Sequence, residues 1–254
     1  MVVPLPDYIN GELKEMLMNM LNLDADKRPT AKELLETELM LFQDQIDKYK
    51  EINDQQSKED DENRQIAIDI GVVDALIHLF NAEPLDSITP THAWAFFVFT
   101  YPSSYDIRLH LAEKKPFPAL FRLLDHQEFL ILRRTIASVF NILIGVADLT
   151  LVNQPHPHFQ AVASCGGIEK LYSLFKKNEF EKFTYFCALS IGQLFKAKEI
   201  PNIEMRKDVI SQLKAALTSS DRQSQLNAKL SLKKLAENSV NSSEIEKDGF
   251  KIPD

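Results

Sequence analysis

The strongest constraint on this chain is a block that recurs along it. V-V-D-A-L-I-H-L-F (72–80), F-P-A-L-F-R-L-L (117–124), I-E-K-L-Y-S-L-F (168–175) and I-S-Q-L-K-A-A-L (210–217) all place apolar residues three and four apart. That spacing puts them on one helix face. Aligning Leu76, Leu120, Leu171 and Leu213 gives steps of 44, 51 and 42 residues. A polar turn and a longer apolar stretch follow each block. A helical unit of this size cannot bury its apolar face alone, so successive units must stack. The expectation is an all-α chain, helix packed on helix. Scarce glycine, 7 in 254 residues, agrees with it.

The turns between units carry helix-start signals. Thr89-Pro90 places a cap residue before a proline at the first helical position. Asp125-His-Gln-Glu128, Asn178-Glu-Phe-Glu181 and Ser220-Asp-Arg-Gln223 each set a cap residue three before Glu or Gln. The long step of 51 has a visible cause. Residues 148–158, D-L-T-L-V-N-Q-P-H-P-H, form an insertion whose prolines exclude helix. Its His156-Pro-His158 lacks further ligands at fixed spacing, so it is read as an exposed loop and not a metal site. Residues 51–62 hold six acids and one lysine and read as a solvated face or linker. Residues 241–254 read as a flexible tail.

Composition narrows the function classes. Lys plus Arg is 29 and Asp plus Glu is 37, a net charge of −8. This argues against nonspecific nucleic-acid binding and against an anionic membrane surface. No apolar run approaches the ~18 residues that span a bilayer. The start, MVVPLPDYIN, lacks the pattern of a signal peptide. Cys165 and Cys187 are too few for a disulfide scaffold and are expected to be reduced, buried thiols. The expected location is the cytoplasm, with the nucleus left open. No glycine pair has G-x-G spacing, which removes dinucleotide and kinase glycine loops.

The period resembles that of armadillo repeats, in A-I-D-I-G-V-V-D-A-L-I-H-L-F (67–80), A-V-A-S-C-G-G-I-E-K-L-Y-S-L-F (161–175) and S-V-F-N-I-L-I (138–144). The resemblance covers about 62–240 and implies an armadillo-type right-handed superhelix, with units near 63–103, 104–150, 159–198 and 199–238. It further implies a concave groove lined by third helices. There an asparagine binds the backbone of an extended peptide, beside a tryptophan one turn earlier. The asparagine slots are Val98, Asn141, Gln193 and Lys234, at steps of 43, 52 and 41. The tryptophan slots are Trp94, Ala137, Leu189 and Leu230. Only Asn141 and Trp94 match, and valine and lysine cannot bond both peptide N–H and C=O. Arg133-Arg134 is a second candidate, for an acidic peptide. Phe96, Phe97 and Phe99 are expected in the core, with one of them open to the groove. The implied partner is a protein or extended peptide, with no cofactor.

Residues 5–36 carry a second resemblance. E-L-K-E-M-L-M-N-M-L (12–21) and D-A-D-K-R-P-T-A-K-E-L-L (24–35) are similar to the end of a eukaryotic Ser/Thr protein kinase domain of the NIMA-related kind. Ala25 stands where that family usually has proline. Residues 1–40 would be a helical remnant of a kinase C-lobe, with 41–62 a helical extension and acidic linker. The glycine loop, V-A-I-K, H-R-D and D-F-G are missing, so this stretch predicts neither catalysis nor ATP binding. Arg28, whose family partner is the glutamate of A-P-E, is expected to be solvated or paired with Asp24 or Asp26. The alternative implication is the C-terminal part of an active kinase whose catalytic residues lie upstream.

Overall fold

The computed structural model describes residues 54–147, 151–177 and 181–253, and all regular structure among them is helical. The first triplet is α1 (Asp54–Asp69), α2 (Val72–Ala82) and α3 (Pro90–Thr100). The second is α4 (Tyr105–Glu113), α5 (Phe117–Leu123) and α6 (Phe129–Ala147). The third is α7 (Phe159–Ser164), α8 (Gly167–Lys177) and α9 (Glu181–Leu194). The array closes with α10 (Ile203–Ala216), α11 (Arg222–Leu235) and α12 (Ser239–Ile245).

Three ladders run through this order. The first helices pack as α1 on α4, the second as α2 on α5 on α8, and the third as α3 on α6 on α9 on α11. This is the serial stacking that the apolar period demands. A single core runs the length of the array, from Ile68 and Phe80 through Leu120 and Leu171 to Leu213 and Leu235. Phe96 and Phe99 belong to it, while Phe97 is half-buried with its ring 6.2 Å from that of Tyr101. Cys187 is buried and its thiol is pushed up by that burial. Cys165 is half-buried and donates to the Ala161 and Val162 carbonyls. Both thiols are free, as small apolar fillers would be.

Local chemistry sets the joints. The α1–α2 and α7–α8 corners turn through Gly71 and Gly166, at φ 89° and 68°, backbone that a side chain would strain. Thr89 starts α3 as expected: its side chain accepts from the His92 N–H, His92 caps in return, and Pro90 holds the first position. Before α11 the cap is Asp221, one residue past the expected Ser220. Its carboxylate accepts from the N–H groups of both Gln223 and Ser224, which one hydroxyl could not do as well. Before α6, His126 Nδ1 takes the Glu128 N–H at 2.8 Å, while Asp125 pairs instead with Lys170 at 2.5 Å. Asn178 lies outside the described residues.

One expectation about the ends is corrected. Residues 54–62 form the polar start of α1, the solvated-face form of the reading. Asp61 pairs with Arg64 at 2.8 Å and accepts from the Ser104 N–H at 2.9 Å. Beyond residue 240 the chain is helix and packed turn in place of a flexible tail. Asn241 is buried there, with Oδ1 accepting from Ile200 N–H and Nδ2 donating to the Lys198 carbonyl. A polar side chain that bonds two backbone groups of the preceding unit holds its helix down. The kinase-like segment 5–36, Arg28 and the helical extension up to residue 53 lie outside the described residues. Among the described residues no single helix is long and apolar enough to cross a membrane.

Candidate functional site: the third-helix face

The third helices α3, α6, α9 and α11 form a continuous layer, and α3, α6 and α11 leave half-exposed positions on it. On α6 the stripe is Arg133, Ala137, Asn141 and Ile144, the only half-exposed positions between residues 130 and 145. They recur at three and four residues, as one side of a helix must. On α3 the matching positions are Trp94 and Val98, with exposed Tyr101 just past its end.

Two of the expected residues are brought together across the ladder. The Arg134 guanidinium lies 5.7 Å from the centre of the Trp94 ring, and its Nη1 donates to the Pro90 carbonyl at 2.7 Å. Arg134 is buried, so it joins α6 to α3 and does not present charge on the face. Its neighbour Arg133 is half-exposed. Asn141 Nδ2 donates to Thr100 Oγ1 at 3.2 Å, and Thr100 Oγ1 donates onward to the Phe97 carbonyl at 2.7 Å. Asn141 therefore has one donor committed to α3 while the residue stays half-exposed. Val98 is half-buried, and its carbonyl accepts from Arg64 Nε of α1 at 2.9 Å.

The slot on α9 differs. Gln193 is 1% exposed, with Nε2 donating to Ser231 Oγ of α11 at 3.0 Å and Oε1 buried without a hydrogen bond. Leu189, one turn earlier, is wholly buried. The cause is close helix approach: a Cβ on Gly192 would lie 3.0 Å from Ser231 Cβ. The fourth slot, Lys234, is half-buried on α11, one turn beyond the exposed Leu230.

The structure also reveals residues that sequence reasoning passed over. Lys196, just past α9, is 0% exposed. Its Nζ donates to the carbonyls of Leu151 (2.7 Å) and Gln154 (3.0 Å) and lies 3.3 Å from Glu237 Oε2. The same Glu237 oxygen accepts from the Asn153 N–H at 2.9 Å. The insertion is thus tied across the C-terminal ends of the third helices. His156 holds its other end and is buried, contrary to the exposed loop expected. Its Nε2 lies 3.0 Å from the Leu143 carbonyl, and its Nδ1 takes the His158 N–H at 3.1 Å. A carbonyl can only accept and a backbone N–H can only donate, so the proton sits on Nε2. Burial, reinforced by the nearby His158, Lys196 and Lys234, holds the His156 pKa down at about 4, against the opposing bond to Leu143. The tip of the loop exposes Leu151 and Val152, at 78% and 74%. Among the described residues no cluster of three or more His, Cys, Asp or Glu could hold a metal ion.

At the other edge, Tyr185 of α9 donates its hydroxyl to the Ser224 carbonyl of α11 at 3.1 Å. Burial raises the pKa of Tyr185 and of Tyr101, and the Asp221 carboxylate adds to both.

Comparison with solved structures gives the class of fold. A designed armadillo repeat protein in complex with the peptide (KR)4 is similar at 16% identity and a TM-score of 0.55, over 94% of this chain and 88% of that one. Computationally designed armadillo repeat proteins for modular peptide recognition are similar at 16% identity and a TM-score of 0.56, with the same coverage. An engineered protein is similar at 14% identity and 0.51, over 90% of this chain and 98% of that one. The chain has the armadillo repeat fold, an all-helical solenoid. No protein-family model matches the sequence. No curated protein matches it either.

Proposed function

We propose that this chain is a non-catalytic protein-binding scaffold that holds an extended peptide on its third-helix face. The observation that carries this reading is the serial ladder α3–α6–α9–α11, with half-exposed Asn141 and Trp94 at successive rungs. An asparagine amide bonds both the N–H and the C=O of a strand-like peptide, and an aromatic one turn away covers its side chains. The similar designed protein in complex with (KR)4 supports a peptide as the ligand class. Backbone capture is centred on Asn141, because Gln193 is committed to Ser231 and Val98 and Lys234 lack the paired donor and acceptor.

The reading includes no cofactor, no ATP, no nucleic acid and no membrane, and a cytoplasmic location. Peptide-array binding by the wild-type chain and by Asn141→Ala and Trp94→Ala tests it. Loss of signal in both variants, with unchanged helical circular dichroism, is the expected outcome; equal binding by all three refutes it. Titration with Mg-ATP is expected to leave the melting temperature unmoved, since only a bound ligand shifts it.

The motif D-A-D-K-R-P-T-A (24–31) supports a further element of the proposal, descent from a kinase–armadillo fusion. The same motif favours the second reading, in which the repeats serve a working kinase encoded upstream. An upstream reading frame containing a glycine loop, H-R-D and D-F-G would establish that second reading, and stop codons would eliminate it.

A further inference from the structure

The C-terminal edge of the third-helix layer presents apolar side chains at every rung, and the last two rungs do so through the insertion. Three residues past the slots Val98, Asn141, Gln193 and Lys234 stand Tyr101, Ile144, Lys196 and Glu237. Tyr101 is 45% exposed, with its ring against that of Phe97, and Ile144 is half-exposed. Lys196 and Glu237 would place two charges further along the same edge. Both are enclosed instead: their side chains are 1% and 14% exposed and pair with each other at 3.3 Å beneath the insertion.

The insertion turns over this pair. Gln154 N–H donates to the Leu151 carbonyl at 3.1 Å, closing a turn with Asn153 at φ 62°. Lys196 donates to the carbonyls at both ends of the turn, and Glu237 accepts from the Asn153 N–H inside it. Every one of these bonds is to backbone, so the side chains of Leu151 and Val152 are left outside. They are the two most exposed large apolar residues among those described. Enclosing an ion pair costs solvation, and what it fixes in place here is a pair of apolar side chains facing water.

The edge is continuous with the rest of the face. Tyr101 follows Thr100, whose hydroxyl takes the Asn141 amide. Ile144 follows Leu143, whose carbonyl lies 3.0 Å from His156 of the insertion. The order along the edge is therefore Tyr101, Ile144 and the Leu151–Val152 tip, with helices of such a layer about 8–10 Å apart.

We infer that this edge sets the specificity of the peptide site, taking an extended chain that carries a large apolar residue at every third position. A polyproline II chain repeats its face every three residues, about 9 Å, close to the helix spacing. A flat strand repeats every two, about 7 Å, and falls out of step. Trp94 and Tyr101 add the aromatic surface that polyproline ligands use. The only two charges at the edge positions neutralise each other under the turn, so the edge selects by apolar contact. The inference rests on the proposed peptide-binding role and adds the chemistry of the ligand and the residues that read it.

The probe is a fluorescein-labelled peptide of four Leu-Pro-Ser units, read by anisotropy against the full chain. Wild type is expected to bind it saturably. The variant Leu151→Ser/Val152→Ser is expected to bind about tenfold more weakly, as losing two apolar contacts implies. A probe of four Ser-Pro-Ser units is expected to lose at least as much. Ile70→Ser, a change at an exposed apolar residue of the α1–α2 corner, is expected to bind like wild type. Melting temperatures of both variants are expected to match wild type, since the altered side chains face water. Equal binding by the tip variant and wild type overturns the inference, as do equal losses in the tip variant and Ile70→Ser, or tighter binding of a probe of six Leu-Ser units. If the Leu-Pro-Ser probe fails to bind while array peptides still bind in an Asn141-dependent way, the inference fails and the peptide-binding role stands. If neither binds, both fail.

Discussion

Helices α6 and α9 occupy equivalent rungs of one ladder, and their slots behave differently. Asn141 on α6 spends one donor on Thr100 and stays half-exposed. Gln193 on α9 is buried against Ser231. Their partners lie on opposite sides: Asn141 bonds back to α3, and Gln193 forward to α11. Gly192 lets α11 close on α9, and the insertion, anchored by Lys196 and His156, lies across the ends of the helices. Positions matched by counting thus divide into one that stays half-exposed and one that is spent on holding the array together. The division follows how closely the next helix approaches.

The most damaging way to probe this division is at Lys196. Lys196→Met removes a buried ammonium that holds Glu237 and two carbonyls of the loop, an expected loss of about 3–5 kcal/mol by urea denaturation. A loss below about 1 kcal/mol would show that the loop closes without it.

His156 gives the next largest effect. Burial holds its folded pKa at about 4, against an ordinary value of 6.5. Between those values the unfolded chain binds the extra proton, so acid favours unfolding. This contribution is complete above pH 6.5 and is lost as the pH falls toward 4, in total about 3 kcal/mol. Denaturation of wild type and His156→Gln across that range should show a slope that the variant lacks.

Two amide truncations compare the rungs directly. Gln193→Ala removes a buried side chain and its bond to Ser231, an expected cost of about 2 kcal/mol with little change in peptide affinity. Asn141→Ala is expected to cost about 1 kcal/mol or less in stability while weakening peptide about tenfold by calorimetry. If the two variants exchanged behaviour, the assignment of the rungs would be reversed.

Much of the architecture is legible in the residues. The leucine steps identify the second helices, Thr89-Pro90 starts α3, and the prolines of 148–158 locate the insertion. The burial of that insertion is not legible. A lysine, a glutamate and two histidines near prolines have the local pattern of a solvated loop. Only the convergence of residues 151–156, 196 and 237 in space supplies their partners. The last helix is similar: N-S-V-N-S-S lacks an apolar stripe, and Asn241 is secured by backbone groups some forty residues earlier. The half-exposure of Trp94 and Asn141 and the burial of Gln193 against Ser231 are set by packing that no count along the sequence reaches.

The sequence by itself determined that helices would stack, how many residues separate the rungs and where the regular spacing breaks. Apolar periodicity is a local property, and burying it leaves no other arrangement. Tertiary structure alone decided which rungs remain open, which charges are enclosed and what the insertion covers. Those outcomes depend on distances between side chains far apart along the chain, which no local pattern encodes.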